Sequence, residues 1–595
     1  MKPLHIGFDA ANRQLDLSPV DRLTHMHVIG SSGSGKSKFL EWMIRGDLKN
    51  RQGFALLDPH GTLYNEVVDY CAHVVPRQDV ILVNLSEPNS IVGFNPFQRT
   101  AGADISVQVD RRISATMHAW DVPNTDQTPT LARTLRLIYT VMLEMNLGLP
   151  QVAHLIDFNA HDVRSHLIDR LESSLVQREW RELQALKARE WRDETLSAKN
   201  RLFKFLTSPT LGRFMGVSGR SLDLQDIMDQ GKVLLVNLAP SDHLSHENAR
   251  VFGSLMVNEF FECVLRRKTG RSGEDPLPYY LYMDEFQNFV SLDIADMLDQ
   301  VRKFGLFQVL AHQRFGHLDQ NLTDAVLTNC KIKAVFGGLP TESARLMAEE
   351  LFISELDPKK IKAAIYQTKF WPTYSRDKVY TNTKTQGDSH ASSISAMSAS
   401  SAMSSNAEIF SGGDWFSPSI QVGLSSGSSS GLTEASSRSE ADVEHHSESE
   451  GVSDIPIFVP VPFQELSSIQ YYSVEEQLVE LTAGLKEQYG RHCFIKIQHN
   501  STQPMLVPFV ETYFTSEKNK NWYLQKELSK AEALPATHID QLIESQESAL
   551  VKAAGAKRIT EPISAEPPAV SKIPKIRKSA RASLFSSIKL DEDPS

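Results

Sequence analysis

Short apolar runs alternate with stretches of helical periodicity through residues 1–102. The run at 24–29 alternates and is apolar at its end, whereas the runs at 53–58 and 79–84 are apolar over most of their length, as are strands buried on both faces of a sheet. The first run is followed by residues 38–44, whose apolar positions recur at the spacing of a helix. This rhythm of strand, helix and strand predicts a parallel sheet that is covered by helices.

Residues 103–215 show no convincing strand pattern. Apolar positions recur at helical spacing over residues 131–139, and a second, heavily charged helix is predicted from residue 177 towards residue 205. Candidate buried positions of that second helix are Trp180, Leu183, Leu186 and Trp191. The pattern predicts an all-α insertion.

Strands and helices alternate again over residues 216–387. A strand is predicted at 232–238 and a helix at 249–265. Further strands are predicted at 279–283, 307–311 and 331–336. Together with residues 1–102, these elements predict one α/β core that the helical insertion interrupts.

Residues 388–454 are dominated by Ser, Ala and Gly and end in acidic residues. Such a segment buries too little apolar surface to offset the entropy cost of ordering, so a flexible, disordered insertion is predicted. Its one aromatic island, residues 414–416, is either a short docking motif or a chance pair of aromatic residues in a loop.

Ordered structure is predicted again after the Ser-rich insertion. Residues 455–534 form a C-terminal α/β element, with a helix at 474–485 and a strand at 494–497. Residues 535–595 read as a helix followed by a tail, and every charged residue from Lys572 to Lys589 is basic. The tail either contacts nucleic acid or an acidic partner, or is a solvated chain end.

Composition narrows the class of protein. The chain of 595 residues is 41% hydrophobic and 23% charged, which is globular on average. Its net charge of −11 does not by itself indicate nucleic acid, although a protein that holds DNA only in a central channel can be acidic overall. Four widely separated cysteines fit a reducing compartment, and no apolar run is long enough to span a bilayer. A cytoplasmic protein without direct membrane insertion is expected.

One stretch carries specific chemistry. Residues 30–37 read GSSGSGKS and match the phosphate-binding pattern G-x-x-x-x-G-K-[ST] between a predicted strand and a predicted helix. Backbone N–H groups of such a loop surround phosphate oxygens, its Lys reaches the β- and γ-phosphates, and its Ser holds Mg²⁺. The candidate ATP-binding residues are Gly30, Ser31, Ser32, Gly33, Ser34, Gly35, Lys36 and Ser37.

Hydrolysis also needs carboxylates and polar groups at the γ-phosphate. Asp284 and Glu285 follow the apolar run 279–283, so Asp284 is expected to help hold Mg²⁺ and Glu285 to take the proton of the attacking water. Gln313 ends the next strand and is either a γ-phosphate sensor or an ordinary polar strand end. Paired with the phosphate loop, the two acids predict an ATPase.

Other candidates are less specific. A ring ATPase needs a cation from a neighbouring subunit, for which Arg302, Lys303 and Arg345 are candidates and Arg302 is the preferred one. Asp58 and His60 lie at the end of the strand that follows the phosphate-loop helix, and both could border the same pocket. The alternative for His60 is that it is only a turn residue beside Pro59 and Gly61.

The order of these motifs resembles the HerA/FtsK superfamily of P-loop ATPases, and most closely the TraG/TraD-type coupling proteins of conjugation and type IV secretion. The resemblance covers about residues 23–350 and rests on GSSGSGKS, LLDPHG, GFNPF, GKVLLVNLAP, HENARVFGSLM, YLYMDEFQNF, RKFGL, AHQ and TNCKIKAVFG. Residues 468–497 also look like a C-terminal element of soluble relatives, whereas the Ser-rich insertion and basic tail lie outside the resemblance.

The resemblance implies a RecA-like core, ATP and Mg²⁺ as cofactors, a homo-hexameric ring with ATP at subunit interfaces, and DNA in the central channel. Matched by position, the implied functional residues are Lys36, Ser37, Asp284, Glu285 and Gln313. The resemblance implies N-terminal transmembrane helices in anchored coupling proteins, whereas the phosphate loop here begins at Gly30, so a form without a membrane anchor is expected. The expected function is an ATP-driven DNA translocase. The alternative is an ATPase ring that recruits a protein partner, such as a phage-defence effector or a secreted protein, through the Ser-rich insertion or the basic tail.

Overall fold

The computed structural model describes residues 2–100, 102–120, 122, 128–219, 221–267, 276–289, 298, 300–384, 395–399, 433–437, 448–513 and 515–555. The aromatic island at 414–416, the basic tail at 572–589 and most of the Ser-rich segment lie outside these residues. The boundaries of the six predicted segments stay predictions.

Strands occur where the apolar runs predict them, and also near both ends of the chain. The strands are β1 Leu4–Asp9, β2 Gln14–Leu17, β3 His25–Ile29, β4 Phe54–Asp58, β5 Val80–Asn84, β6 Ser90–Ile91, β7 Val233–Asn237, β8 Tyr279–Met283, β9 Leu306–His312, β10 Cys330–Phe336, β11 Ile361–Lys384, β12 Ser395–Ala399, β13 Thr433–Ser437, β14 Glu448–Tyr471, β15 His492–Ile497, β16 Gln503–Leu506 and β17 Leu534–Pro535.

Eleven of these strands form one sheet, in the order β2-β1-β16-β15-β10-β3-β9-β8-β4-β7-β5. The run from β10 to β5 is parallel throughout. From β10 outward, β15, β16, β1 and β2 pair antiparallel with their neighbours. The sheet is therefore mainly parallel, and the predicted α/β fold class is confirmed.

Helices connect and cover the strands. They are α1 Lys36–Asn50, α2 Thr62–Val74, α3 Ile105–Ala119, α4 Pro129–Glu144, α5 Val152–Ile156, α6 His161–Ile168, α7 Ser174–Gln184, α8 Ala188–Leu206, α9 Pro209–Phe214, α10 Leu224–Asp229, α11 His246–Val264, α12 Gln320–Asn329, α13 Thr341–Phe352, α14 Val474–Lys486, α15 Glu517–Lys530 and α16 Ala536–Ala553.

Both faces of the sheet are buried. On β4, Phe54 and Leu56 pack with α1 and α2, whereas Ala55 and Leu57 pack on the side of α3, α4 and α11. Because successive side chains of a strand point to opposite faces, an unbroken apolar run is what such a doubly covered strand requires.

The single helix predicted from residue 177 towards 205 is wrong, because α7 ends at Gln184 and α8 begins at Ala188. The break has a local cause. The Lys187 N–H donates to the Glu190 carboxylate at 3.1 Å, which satisfies a backbone donor at the start of α8. Trp180 and Trp191 are both buried, one on each helix.

A long antiparallel hairpin leaves the core between α13 and α14. Strands β11 and β14 each have 24 residues and pair from Ile361 opposite Tyr471 to Lys384 opposite Glu448. At about 3.3 Å per residue, each strand is roughly 80 Å long. The hairpin was not expected from the sequence, and β14 begins inside the segment 388–454 for which a flexible insertion was predicted.

None of the helices in the described parts of the chain combines the length and the apolar character needed to cross a bilayer.

Candidate functional site

The loop GSSGSGKS lies between β3 and α1, which is the context its sequence predicts. Gly35 precedes the helix with φ at 111°, in the left-handed region that favours glycine. A Cβ atom on Gly35 would also lie 3.2 Å from the Arg491 backbone nitrogen. The loop therefore needs glycine here for both its conformation and its close packing.

Two distant segments hold the loop from outside. The Ser31 N–H donates to the Gly337 carbonyl at 3.1 Å, just after β10. The Arg491 N–H, at the start of β15, donates to the Ser34 carbonyl at 3.0 Å. Within the loop, the Lys36 ammonium donates to the Ser31 carbonyl at 3.4 Å, and the Lys36 side chain is almost fully buried.

Strand order brings the predicted acids and the glutamine to this loop. Strand β9 pairs with β3 on one side and with β8 on the other, all in parallel. Their carboxyl ends therefore place Gln313 and the pair Asp284–Glu285 at the edge of the sheet where the phosphate loop begins. This is the edge at which open α/β sheets bind ligands.

Asp284 is buried beside the loop. The Ser37 hydroxyl donates to its carboxylate at 3.2 Å. Burial raises the pKa of Asp284 to about 6, and nearby Lys36 opposes that rise. A buried carboxylate next to a hydroxyl is a pair of oxygen ligands that suits Mg²⁺, which otherwise keeps waters and phosphate oxygens as ligands. The residues fit the ion expected at Ser37 and Asp284.

Glu285 has an unusual backbone conformation, with φ at 47°. A residue with a side chain seldom adopts this left-handed region, so the surrounding structure must enforce it. Two side-chain amides hold the carboxylate: Gln313 Nε2 donates to Oε1 at 2.7 Å and Gln287 Nε2 donates to Oε2 at 2.8 Å. The structure thus brings Glu285 and Gln313 into direct contact.

Asp58 is bonded to the backbone of the turn that follows β4. Its carboxylate accepts the N–H of His60 and the N–H of Tyr64, each at 2.8 Å. These bonds fix the start of α2. His60 itself is exposed.

The three candidate cations lie away from this cluster in the same chain. Arg302 and Lys303 lie in the turn before β9, at the amino edge of the sheet, and Arg302 donates to the Leu23 carbonyl at 3.3 Å. Arg345 pairs with Glu349 and with Glu475, which joins α13 to α14.

A buried histidine pair links the strands that carry the site. His27 Nε2 on β3 lies 2.8 Å from His312 Nε2 on β9. Both side chains are fully buried, and burial lowers the pKa of His27 well below its usual value. The His312 ring also packs edge-on against Phe286, next to Glu285.

Sequence reasoning missed two residues here. Gln287 stands two positions after Glu285, and its proximity to a predicted proton acceptor was an available signal. Arg491 gave no signal, because it lies far along the chain from the loop and contributes a backbone N–H rather than a recognisable side chain.

Residues 7–329, more than half of the chain, match the family model described as Type IV secretory system Conjugative DNA transfer. The chain belongs to this family. The sequence motifs predicted a protein of the TraG/TraD coupling type, and the match to this family confirms that prediction. No curated protein matches its sequence.

Several solved structures are similar to this family member. The bacterial conjugative coupling protein TrwB, in an unbound monoclinic form, is 14% identical, with 86% of this chain and 90% of that chain covered and a TM-score of 0.46. TrwB in complex with ADP and Mg²⁺ is 18% identical, with coverages of 58% and 78% and a TM-score of 0.39. VirB4 of Thermoanaerobacter pseudethanolicus is 12% identical, with coverages of 59% and 88% and a TM-score of 0.38.

Proposed function

We propose that this member of the conjugative DNA transfer family hydrolyses ATP and uses the reaction to move DNA. The observation that carries the proposal is the convergence of four residues at one edge of the sheet. Lys36 stands in the phosphate loop, Asp284 and Glu285 follow β8, and Gln313 follows β9 and contacts Glu285. The family to which the chain belongs supplies DNA as the proposed polymer.

Each residue has a defined part in the reaction. Lys36 would bind the β- and γ-phosphates, and the Ser37 hydroxyl and Asp284 would hold Mg²⁺, which would neutralise charge on those phosphates. Glu285 takes a proton from the attacking water as the water oxygen bonds to the γ-phosphorus. The bond from that phosphorus to the bridging oxygen breaks, and ADP keeps the electron pair. Gln313, which donates to Glu285, would also contact the γ-phosphate.

The working form is a homo-hexameric ring with DNA in its channel. Arg302 lies at the amino edge of the sheet, opposite the phosphate loop, so in its own chain it faces away from the proposed γ-phosphate position. We assign it to the site of a neighbouring copy, where a cation would stabilise charge on the transferred phosphoryl group.

A Glu285→Gln variant of the full chain tests the chemistry. The amide keeps the shape but accepts no proton, so ATP turnover should fall by about 10²- to 10⁴-fold while binding of a fluorescent ATP analogue is unchanged. In the wild-type chain, adding single- or double-stranded DNA should raise turnover. Hydrolysis that no form of DNA changes would contradict the translocase function, and Glu285→Gln turnover at the wild-type rate would contradict the role of Glu285.

A second candidate is a ring that recruits a protein partner. The β11–β14 hairpin favours it, because large apolar side chains along it are exposed, including Trp371 at 63% and Phe370 at 46%. On one face of the ribbon, Trp371 lies opposite Val461, which is also exposed, and contiguous exposed apolar side chains of this kind mark interaction surfaces.

Deletion of residues 388–453, which leaves Trp371 and Phe370 in place, tests whether a partner docks through the Ser-rich segment, and a Trp371→Ala variant tests docking through the hairpin. Loss of a partner in a pull-down, with normal DNA-stimulated hydrolysis, would establish the segment as a docking element. If both partner capture and hydrolysis are unchanged, docking through this segment is wrong.

A further inference from the structure

We propose that Gln287 positions the attacking water, by holding Glu285 with its amide N–H and by accepting a hydrogen bond from that water with its amide oxygen. The proposal rests on the ATPase function above and adds a residue to its machinery.

The first step is the position of Gln287. It lies in the one-turn helix Phe286–Asn288, directly after Glu285. The Asn288 N–H donates to the Glu285 carbonyl at 3.0 Å, which closes this turn. His118 Nε2 of α3 lies 3.4 Å from the Gln287 carbonyl oxygen, so the turn also touches the helical layer on that face of the sheet. Gln287 is thus fixed at both its backbone and its side chain.

The second step is the orientation of the amide. Gln287 Nε2 lies 2.8 Å from Glu285 Oε2. An amide oxygen placed against a carboxylate would repel it, so the N–H must face Glu285. The amide oxygen then points away from that carboxylate oxygen.

The amide oxygen of Gln287 lacks a hydrogen-bond donor in the described part of the chain. Gln287 Oε1 is buried and accepts no hydrogen bond from any residue that the structure describes. A buried acceptor without a partner is costly, and functional sites are where such atoms find one in a ligand or water. Gln287 Oε1 therefore belongs to the same side chain whose Nε2 contacts Glu285, the residue proposed to take the proton from water.

A water molecule matches both groups at once. One O–H donates to Glu285, which will take that proton, and the other donates to Gln287 Oε1. With both hydrogens engaged, the water oxygen keeps a lone pair free to attack the γ-phosphorus. Gln313 holds the second carboxylate oxygen of Glu285 at 2.7 Å, so the two glutamines orient the carboxylate from either side.

The test compares Gln287→Met with wild type in the full chain, at saturating DNA. Methionine is similar in length but neither donates nor accepts, so kcat should fall by about 10- to 100-fold. The KM for ATP and the affinity for a fluorescent ATP analogue should stay within about threefold, because Gln287 does not hold the nucleotide in the ground state. Asn288→Ala, in the same turn, is the matched control and should keep the wild-type kcat.

Two further variants keep the test decisive. Gln287→Asn retains an amide that is one methylene too short to reach both groups, so it should be as slow as Gln287→Met. Gln287→Glu retains an acceptor but removes the donor and adds a like charge beside Glu285, so it should be slow as well.

Each outcome bears on a definite claim. A Gln287→Met kcat within twofold of wild type overturns the assignment, as does a parallel loss of kcat and nucleotide affinity, which would indicate a merely structural residue. If Gln287→Met does not fold, the same criteria apply to Gln287→Asn. A wild-type chain that hydrolyses no ATP overturns the proposed function, and this assignment with it. If Glu285→Gln is inactive and Gln287→Met is unimpaired, only the assignment fails.

Discussion

At the carboxyl ends of β3, β8 and β9, polar side chains are buried and bonded to partners distant in the chain. Along β11 and β14, large apolar side chains are exposed instead. Asp284 is 4% exposed beside the phosphate loop, and Glu285 is held by Gln313 from the neighbouring strand. On the hairpin, the ring of Trp371 lies 5.3 Å from the ring of Phe463 on the paired strand, yet Trp371 is 63% exposed.

The difference shows two ways in which this chain fixes geometry. The edge that carries the proposed site depends on sheet order, because its residues meet only when the three parallel strands β3, β9 and β8 are adjacent. The hairpin depends on contacts between two strands, such as the ion pair of Lys369 with Glu465. A two-stranded ribbon has little stability of its own, so its root must anchor it.

The sharpest contrast is between two lysines. Lys36→Ala removes the buried ammonium of the phosphate loop. ATP turnover should fall by about 10³-fold, because this ammonium would stabilise the negative charge that develops on the phosphates in the transition state. Lys369→Ala, on the exposed hairpin, should leave basal turnover unchanged. Steady-state hydrolysis assays compare the two variants, and an equal loss in both would contradict the division between the regions.

Buried ion pairs give the next largest effect, on stability. Asp47 accepts from Arg22 in a bidentate pair with N–O distances of 2.5 and 2.9 Å, and also accepts from the Tyr282 hydroxyl at 2.6 Å. Asp47→Ala leaves the buried Arg22 cation without its partner, so the free energy of unfolding should fall by about 3–5 kcal/mol. Urea unfolding measures this change. Glu465→Ala on the exposed hairpin is the control and should change stability little.

A smaller effect should appear on acidification. Burial holds the pKa of His27 below the value of 6.5 that it has when unfolded. Unfolding therefore takes up a proton, and the stabilising effect of neutral His27, present above pH 6.5, is lost as pH falls. The Tm should drop between pH 7.5 and pH 5.5, and His27→Gln should reduce that drop. His161→Gln, at an exposed position, should not.

The smallest effect is expected at the hairpin root. The ion pair with Lys362 and the N–H of Ser473 lower the pKa of Glu476 to about 2. Glu476→Gln removes the pair, so the amide hydrogens of β11 and β14 next to the root should exchange faster while the global Tm is unchanged. Hydrogen exchange with mass spectrometry detects this, and faster exchange at β3 or β8 would show that the two regions are not separate.

Much of the core follows from its sequence because the apolar runs are long and each ends in a distinctive residue. The runs before Gly30, Asp284 and Gln313 predicted three strands, and parallel strands align their carboxyl ends. The residues that meet at the site were therefore identifiable before their contacts were known.

Other features depend on information that local patterns lack. The Gln287 side chain touches Glu285 only because the left-handed backbone at Glu285 turns the chain sharply there. The hairpin was missed because β11 mixes polar and apolar residues without a clear period, and because three prolines interrupt the apolar run 455–463 of β14, where a strand is not expected. Strands β11 and β14 are also separated by more than sixty residues, from 385 to 447, and a local sequence pattern does not indicate which distant strand a segment pairs with.

The hydrogen bond from Arg491 to the Ser34 carbonyl has a mechanical consequence. Strand β14 leads into α14, whose last residue, Lys486, accepts the Gly338 N–H, and a short turn then reaches Arg491. The ribbon of roughly 80 Å is thus continuous, through one helix and a short turn, with the residue that bonds the loop GSSGSGKS. A shift of the ribbon's root along this stretch of chain would reach the Ser34 peptide.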